Sequence, residues 1–136
     1  MPKKLQDASI SHKSIEVKDS PGKGRGVFAT KAIEKGETIE VAPVLMVPWD
    51  DETFVLASFL QHYTFSVYGG SEKDDDFTAI ALGYASLYNH SDKENADWRI
   101  NTKCIIVFAT RNIKRGEEIT IDYGWDEEHR KEMSIK

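Results

Sequence analysis

The sequence predicts a mainly β domain. Short runs of alternating or apolar character recur along the chain, turn residues separate them, and no strand–helix–strand alternation is present. At 136 residues the chain fits one domain with a real core, and its 40% hydrophobic and 30% charged residues are ordinary globular usage.

Charge and cysteine content narrow the partners. The net charge of -5 argues against nucleic acid as a direct partner, because phosphate binding needs a basic surface. It is compatible with a basic peptide. The single cysteine, Cys104, excludes an internal disulfide framework and a cysteine-rich zinc cluster, so no metal is expected. Cys104 lies in an apolar run and reads as a buried thiol. No apolar run is long enough to span a bilayer, and Lys3-Lys4 is not followed by a signal-peptide core. The expectation is no membrane and an intracellular protein, cytoplasmic or nuclear, not secreted.

In order, residues 1–13 are polar and aperiodic and read as a flexible tail. Ser14 to Lys18 alternates as a first strand. Ser20 to Ala29 follows, with glycines at 22, 24 and 26 interleaved with Lys23 and Arg25 before an apolar strand. Glycine lets backbone approach a ligand closely, and the loop amides and two cations could hold a carboxylate; a plain glycine-rich hairpin is the simpler reading. Lys31 to Gly36 is a turn, and Glu37 to Pro48 a β segment. Pro43 and Pro48 remove ladder donors, which predicts a broken or edge strand. Asp50 to Phe59 reads as a short helix with an acidic start, Thr64 to Tyr68 as a strand, 69–76 as a solvated loop, and Phe77 to Leu82 as a strand. Trp98 to Asn101, Lys103 to Thr110 and Glu118 to Tyr123 complete the strands, and Asp126 to Met133 reads as an exposed helix. Arg111 to Glu117 resembles Lys31 to Glu37 and is taken as repeated turn chemistry, with no duplicated domain around it.

The stretch Ala81 to Asn95 carries the chemistry. After apolar Leu87 and Tyr88 it delivers Asn89, His90 and Ser91 to one place. Burying such groups costs roughly 1–3 kcal/mol each without partners. They form either a capped turn or a polar binding site.

Three signals stand in order: Gly24-Arg25-Gly26-Val27-Phe28, then Asn89-His90-Ser91 with Asn95 beyond, then Gly116-Glu117-Glu118-Ile119-Thr120-Ile121-Asp122-Tyr123-Gly124. Together they resemble the SET-domain family, lysine methyltransferases that use S-adenosyl-L-methionine. The resemblance implies a SET fold of several small curved sheets, short helices and a C-terminal pseudoknot, spanning 14–124 with a variable insert at 50–80 and a short segment at 125–136. It implies transfer of a methyl group to a lysine amine in a protein substrate, a histone or another basic protein. It places Lys23, Gly24, Arg25, Gly26, Asn89, His90, Tyr123 and Trp125 at the cofactor, with Tyr123 as the catalytic tyrosine. Tyr88, Trp98 and Ile121 fall at the lysine channel, although cross-strand packing of Trp98 is an equal reading, and Tyr84 and Tyr88 could face channel or core. His62 is given no role.

The departures matter. Ser86-Leu87-Tyr88 stands where relatives often carry Arg-Phe-Ile. Glu40-Val41-Ala42-Pro43 replaces a Glu-Tyr-x-Gly segment, so one active-site tyrosine is missing. Ile121 stands where an aromatic is common, and pre-SET and post-SET zinc cysteines are absent. The likeness is therefore to compact, stand-alone SET proteins. An inactive SET domain that binds a protein, and methylation of a non-lysine side chain, are the alternative functions. A homodimer that completes the substrate groove is a further expectation.

Overall fold

The computed structural model describes residues 14–68 and 76–123. The expected tail, the loop after Tyr68, Trp125 and the C-terminal helix lie outside them. Within them the strands are β1 (Ile15–Ser20), β2 (Gly24–Ala29), β3 (Thr38–Met46), β4 (Thr64–Tyr68), β5 (Asp76–Ala81), β6 (Asn89–His90), β7 (Ala96–Ile100), β8 (Cys104–Ala109) and β9 (Glu118–Ile121). Helix α1 (Trp49–Ala57) and 3₁₀ turns at Phe59–Tyr63 and Ala85–Leu87 are inserted between them. The strands make two sheets, ordered β1-β2-β9-β6 and β4-β5-β3-β8-β7. The mainly β expectation holds, and the strand positions agree within a few residues except for β6, where the sequence pointed to a turn or a polar site.

The glycine-rich loop is a tight hairpin. β1 and β2 pair from Ile15↔Ala29 to Ser20↔Gly24, so Gly24 and Gly26 are strand residues and the turn is confined to Pro21–Lys23. Gly22 and Gly24 bracket it with φ of 78° and 79°, the left-handed region that glycine enters without steric cost. Val27 to Ala29 then turn into the core, leaving Gly24 and Arg25 exposed at the open end.

β3 is interior to its sheet, yet Pro43 is accommodated because the strand changes partner there. Thr38 to Pro43 pair with β8, and Val44 to Met46 pair with β5. The Pro43 carbonyl accepts from the Leu82 N–H at 2.9 Å. The ladder breaks where the missing donor would break it.

The repeated turn is wider than the turn itself. Val27-Phe28-Ala29-Thr30 recurs as Val107-Phe108-Ala109-Thr110, and Ile33, Gly36, Glu37 and Ile39 recur as Ile113, Gly116, Glu117 and Ile119. The two segments are bonded reciprocally. Ile33 N–H donates to Ile113 O at 2.9 Å and Ile113 N–H to Ile33 O at 2.8 Å. Gly36 N–H reaches Ala109 O, and Gly116 N–H reaches Ala29 O, both at 2.8 Å. Within each turn a glutamate caps a backbone N–H: Glu34 N–H to Glu37 Oε1 at 3.2 Å, and Lys114 N–H to Glu117 Oε1 at 3.0 Å. The two turns are thus related by a local two-fold, with Ile33 and Ile113 buried at its centre.

The core gathers Ile15, Val27, Ile33, Ile39, Ile100, Ile105, Val107, Ile113, Ile119 and Ile121 around Tyr88 and Trp98, all nearly excluded from solvent. Cys104 is buried too, and burial pushes its thiol above the ordinary value, which disfavours the reactive thiolate.

The local two-fold makes a test. Gly36 and Gly116 have φ of 86° and 87°, and a Cβ at either would meet nothing. Gly36→Ala and Gly116→Ala should each cost about 1–2 kcal/mol from left-handed backbone alone. Urea denaturation should give equal losses; clearly unequal losses would show that the turns are not equivalent.

Candidate active site

The site forms because β9 is held between two segments distant in sequence. On one side it pairs antiparallel with β2 through Val27↔Ile119 and Phe28↔Glu118. On the other it pairs parallel with β6 through Asn89↔Thr120 and His90↔Ile121. That parallel pair has only two residues, and Asn95 extends it. Asn95 is 1% exposed; its Oδ1 accepts from Thr120 N–H at 2.9 Å and its Nδ2 donates to Glu118 O at 2.8 Å. Its backbone N–H donates to Thr120 O at 3.2 Å, and Ser91 N–H to Ile121 O at 3.1 Å. The loop from Ser91 to Asn95 therefore clasps the strand, as the pseudoknot requires.

Glu118 joins the hairpin to this clasp. Its Oε1 accepts from the Ser20 hydroxyl at 2.8 Å, and its Oε2 from Asn89 Nδ2 at 2.7 Å. Asn89 Nδ2 also donates to Arg25 O at 3.0 Å. With both amide hydrogens on protein acceptors, Asn89 has its carbonyl oxygen left to offer a ligand. Gly26 is required beside this group: a Cβ there would lie 2.5 Å from Glu118 Oε2 and 2.9 Å from Asn89 Nδ2.

His90 and Tyr123 close the other side. The Tyr123 backbone N–H donates to His90 Nδ1 at 3.1 Å, which assigns the ring proton to Nε2, facing Asp92 Oδ1 at 3.3 Å. The two rings lie 5.2 Å apart. The Tyr123 hydroxyl donates to the backbone carbonyl of Tyr88 at 2.9 Å. Burial raises the pKa of Tyr123; the His90 backbone partly offsets this, and Tyr63 and Glu118 add to the rise. The phenol is therefore neutral at physiological pH. Trp98 Nε1 donates to Asp122 O at 3.1 Å, fixing the chain just before Tyr123.

A cavity of about 810 Å³ runs past these groups. Its lining joins the hairpin residues Asp19, Lys23, Gly24 and Arg25 and Asn89 to the aromatic and apolar Tyr63, Phe65, Tyr88, Trp98, Ile121 and Tyr123, with the polar Gln61, His62, Thr64, Ser66 and Ser86 among them. Phe65 meets Trp98 edge to face at 5.2 Å. The volume is that of a small-molecule site. Among the described residues no group of three His, Cys, Asp or Glu side chains could hold a metal ion, and no helix is long and apolar enough to cross a membrane.

Most of the residues singled out from sequence meet here. Lys23, Gly24, Arg25, Asn89, Tyr88, Trp98, Ile121 and Tyr123 line the cavity. Gly26 and His90 stand behind the lining and shape it through Asn89 and Tyr123. Trp98, Tyr88 and Ile121 are each 1% exposed, so they combine packing with a share of the wall. Sequence reasoning missed Glu118 and Ser20, whose pairing joins residues far apart in the chain. It also missed Glu40, a carboxylate 1% exposed beneath the site. A charged residue inside an otherwise apolar strand was the available signal for Glu40. The insert contributes Leu56 and the run from Gln61 to Ser66 to the wall, for which the sequence carried no signal.

The SET domain family model matches residues 24–124. The histone-lysine N-methyltransferase of Schizosaccharomyces pombe specific for H3 lysine-37 is 34% identical over 113 residues, covering 81% of this chain and 73% of that protein. An H3 lysine-36 specific enzyme of Yarrowia lipolytica is 31% identical over 122 residues; this chain spans only 16% of its length. Among solved structures, a Plasmodium falciparum protein described as a histone methyltransferase superposes with a TM-score of 0.65 at 31% identity, over 85% of this chain and 96% of that one. The Neurospora SET domain protein DIM-5 shares the fold, with a TM-score of 0.63 at 18% identity over 80% of this chain and 51% of that one. The chain belongs to the SET-domain family of protein-lysine methyltransferases.

Gly26→Ala tests the junction. The added methyl must displace the Asn89 amide or the Glu118 carboxylate, at a cost of about 1–3 kcal/mol. Chemical denaturation should record that loss, and the Asn89 side-chain amide signals should shift in NMR spectra. Unmoved signals would mean that the group is not packed as described.

Proposed function

We propose that this chain transfers a methyl group from S-adenosylmethionine to the side-chain amine of a lysine in a protein substrate. The observation that carries the reading is the Tyr123 hydroxyl, anchored on the Tyr88 carbonyl in a cavity lined by both charged and aromatic side chains. The residues present suit the cofactor. Lys23 and Arg25 bring positive charge that suits a carboxylate. The Gly24 backbone is open, with nothing within 4 Å of where a side chain would begin. The remaining Asn89 oxygen suits an ammonium. Trp125 is proposed to close the adenine side. When bound, the cofactor supplies an electrophilic methyl group on a positively charged sulfur.

The protein's own task is to present a neutral amine in the right orientation. A free lysine has a pKa of about 10.4 and must lose its proton before it can react. Desolvation against Trp98, Phe65 and Tyr123 lowers that value. Tyr123 keeps its proton on the Tyr88 carbonyl, and a phenol oxygen is an acceptor suited to an amine N–H. Weak C–H···O contacts to the same oxygen and to nearby carbonyls help hold a methyl group in line. Restricting the geometry is the larger part of the catalysis.

The relatives' specificities make histone H3 the first substrate to test, and a histone substrate would imply work in the nucleus. A net charge of -5 suits a basic segment. Val41, at the position of the missing tyrosine, keeps methylation of another side chain as a second reading.

Labelled methyl transfer to histones and other basic proteins, beside Tyr123→Phe, tests the proposal. The expected result is label on lysine, reduced at least a hundredfold in Tyr123→Phe while cofactor binding persists. Label on another residue type would establish the second reading, and absence of cofactor binding would refute both. The rate should also rise with pH as the substrate lysine deprotonates. The raised pKa of Tyr123 means that its ionisation adds no falling limb below pH of about 10. A decline beginning near pH 8 would contradict a neutral Tyr123.

A further inference from the structure

Glu40 is the most deeply buried carboxylate among the described residues, and the transfer reaction as set out above gives it no task. It lies on β3, just before the position where the family's tyrosine is missing. Its two oxygens hold one short segment at both ends. Oε2 accepts from the backbone N–H of Tyr84 at 2.8 Å, and Oε1 accepts from the hydroxyl of Tyr88 at 2.7 Å. Between those points runs the 3₁₀ turn Ala85–Leu87, closed by Leu87 N–H on Tyr84 O at 2.8 Å. The far end of the segment is the Tyr88 carbonyl, which receives the Tyr123 hydroxyl at 2.9 Å. Tyr88 stands where the family pattern carries an Ile, which has no hydroxyl to meet a carboxylate.

We propose that Glu40 is a positioning residue: through Tyr84 and Tyr88 it fixes the backbone carbonyl that holds the Tyr123 hydroxyl, and so sets the orientation of the catalytic phenol. The inference rests on the proposed role of Tyr123. Buried charge-assisted bonds are short, directional and costly to distort, which suits a clamp whose product is a position. The Tyr88 phenol is suited to its half of the clamp. Burial, with Glu40 beside it, holds its pKa well above the ordinary value, so it remains a donor across the working pH range. The clamped side chain and the carbonyl that Tyr123 uses belong to the same residue and share its Cα. A shift of a few tenths of an ångström at Tyr88 is therefore passed directly to the hydroxyl, and in-line methyl transfer is sensitive to such shifts.

The test compares methyl-transfer kinetics of Tyr88→Phe, Glu40→Gln and Tyr123→Phe, with cofactor affinity by calorimetry and folding by thermal melting. In Glu40→Gln the amide oxygen can accept from Tyr84 N–H, and its NH₂ can donate to a rotated Tyr88 hydroxyl, so both links are kept. The expected outcome is a kcat at least tenfold lower in Tyr88→Phe, with KM and cofactor affinity within twofold of the parent. Glu40→Gln should retain at least a third of the parental kcat. Should Tyr88→Phe fold poorly, Glu40→Gln/Tyr88→Phe removes the buried charge, keeps an acceptor for Tyr84, and should show the same loss of kcat in a folded, cofactor-binding protein. Parental kcat in Tyr88→Phe, or losses of kcat, cofactor affinity and melting temperature in step, would overturn the inference alone if Tyr123→Phe is impaired. An unimpaired Tyr123→Phe would overturn the role of Tyr123 and this inference with it.

Discussion

A strand pair two residues long cannot hold a protein together, yet the site depends on one. β6 meets β9 only at Asn89 and His90; Asn89 lines the cavity, and the His90 ring accepts from the backbone N–H of Tyr123. The pairing persists because Asn95 adds both hydrogen-bonding sides of a buried amide to it. An amide placed there reproduces what a further strand residue would give, and it can do so from a loop. Removing it would leave backbone groups of Thr120 and Glu118 without those partners in a water-free place, the situation in which a hydrogen bond matters most. The Asn89–His90 strand and the Ser20–Glu118–Asn89 link sit directly beside that side chain, which reinforces what the β2 pairing of β9 already places.

The cavity then divides its chemistry according to what each element can supply. A hairpin tip offers exposed backbone and cations because its residues are too tightly turned to pack; strand ends near the core offer aromatic walls because they are already buried. Tyr123 stands where the two meet, with its backbone on His90 and its hydroxyl on Tyr88. A single residue anchored at both ends is well placed for a reaction governed by alignment; its phenol is neutral at its ordinary pKa, and partial burial only moves that value further up.

Much of this was legible in the sequence. Alternation at 14–18 and 118–123 and apolar runs such as 103–110, each bounded by turn residues, located the strands. The Asn89-His90-Ser91 cluster announced itself as three polar residues arriving together after an apolar run. Pro43 signalled a break in its strand, although sequence could not reveal that the strand would stay interior by changing neighbours. The less legible contacts were long-range and polar. Nothing local distinguishes Glu118, which meets Ser20, from Glu117, which meets Asn95 and Arg111. Glu40 stood out only as a charged residue in a largely apolar strand, and its partners, Tyr84 and Tyr88, come from far along the chain. Tyrosines, which can face channel or core, resolve only when the hydroxyl's partner is known. The extended likeness between 27–39 and 107–119 was present in the letters; the turn drew attention away from its flanks.

That likeness has a consequence for how the chain acquires its shape. The two segments recognise each other through reciprocal backbone bonds, with Ile33 against Ile113, and everything between them is a loop that must close first. Most of the cavity wall, including β6 and the insert, lies within that loop. Closing it carries an entropic cost that local turns cannot repay, and chains dominated by such distant pairings fold slowly. Loop closure at this two-fold contact therefore brings together segments that both contribute to the cavity wall.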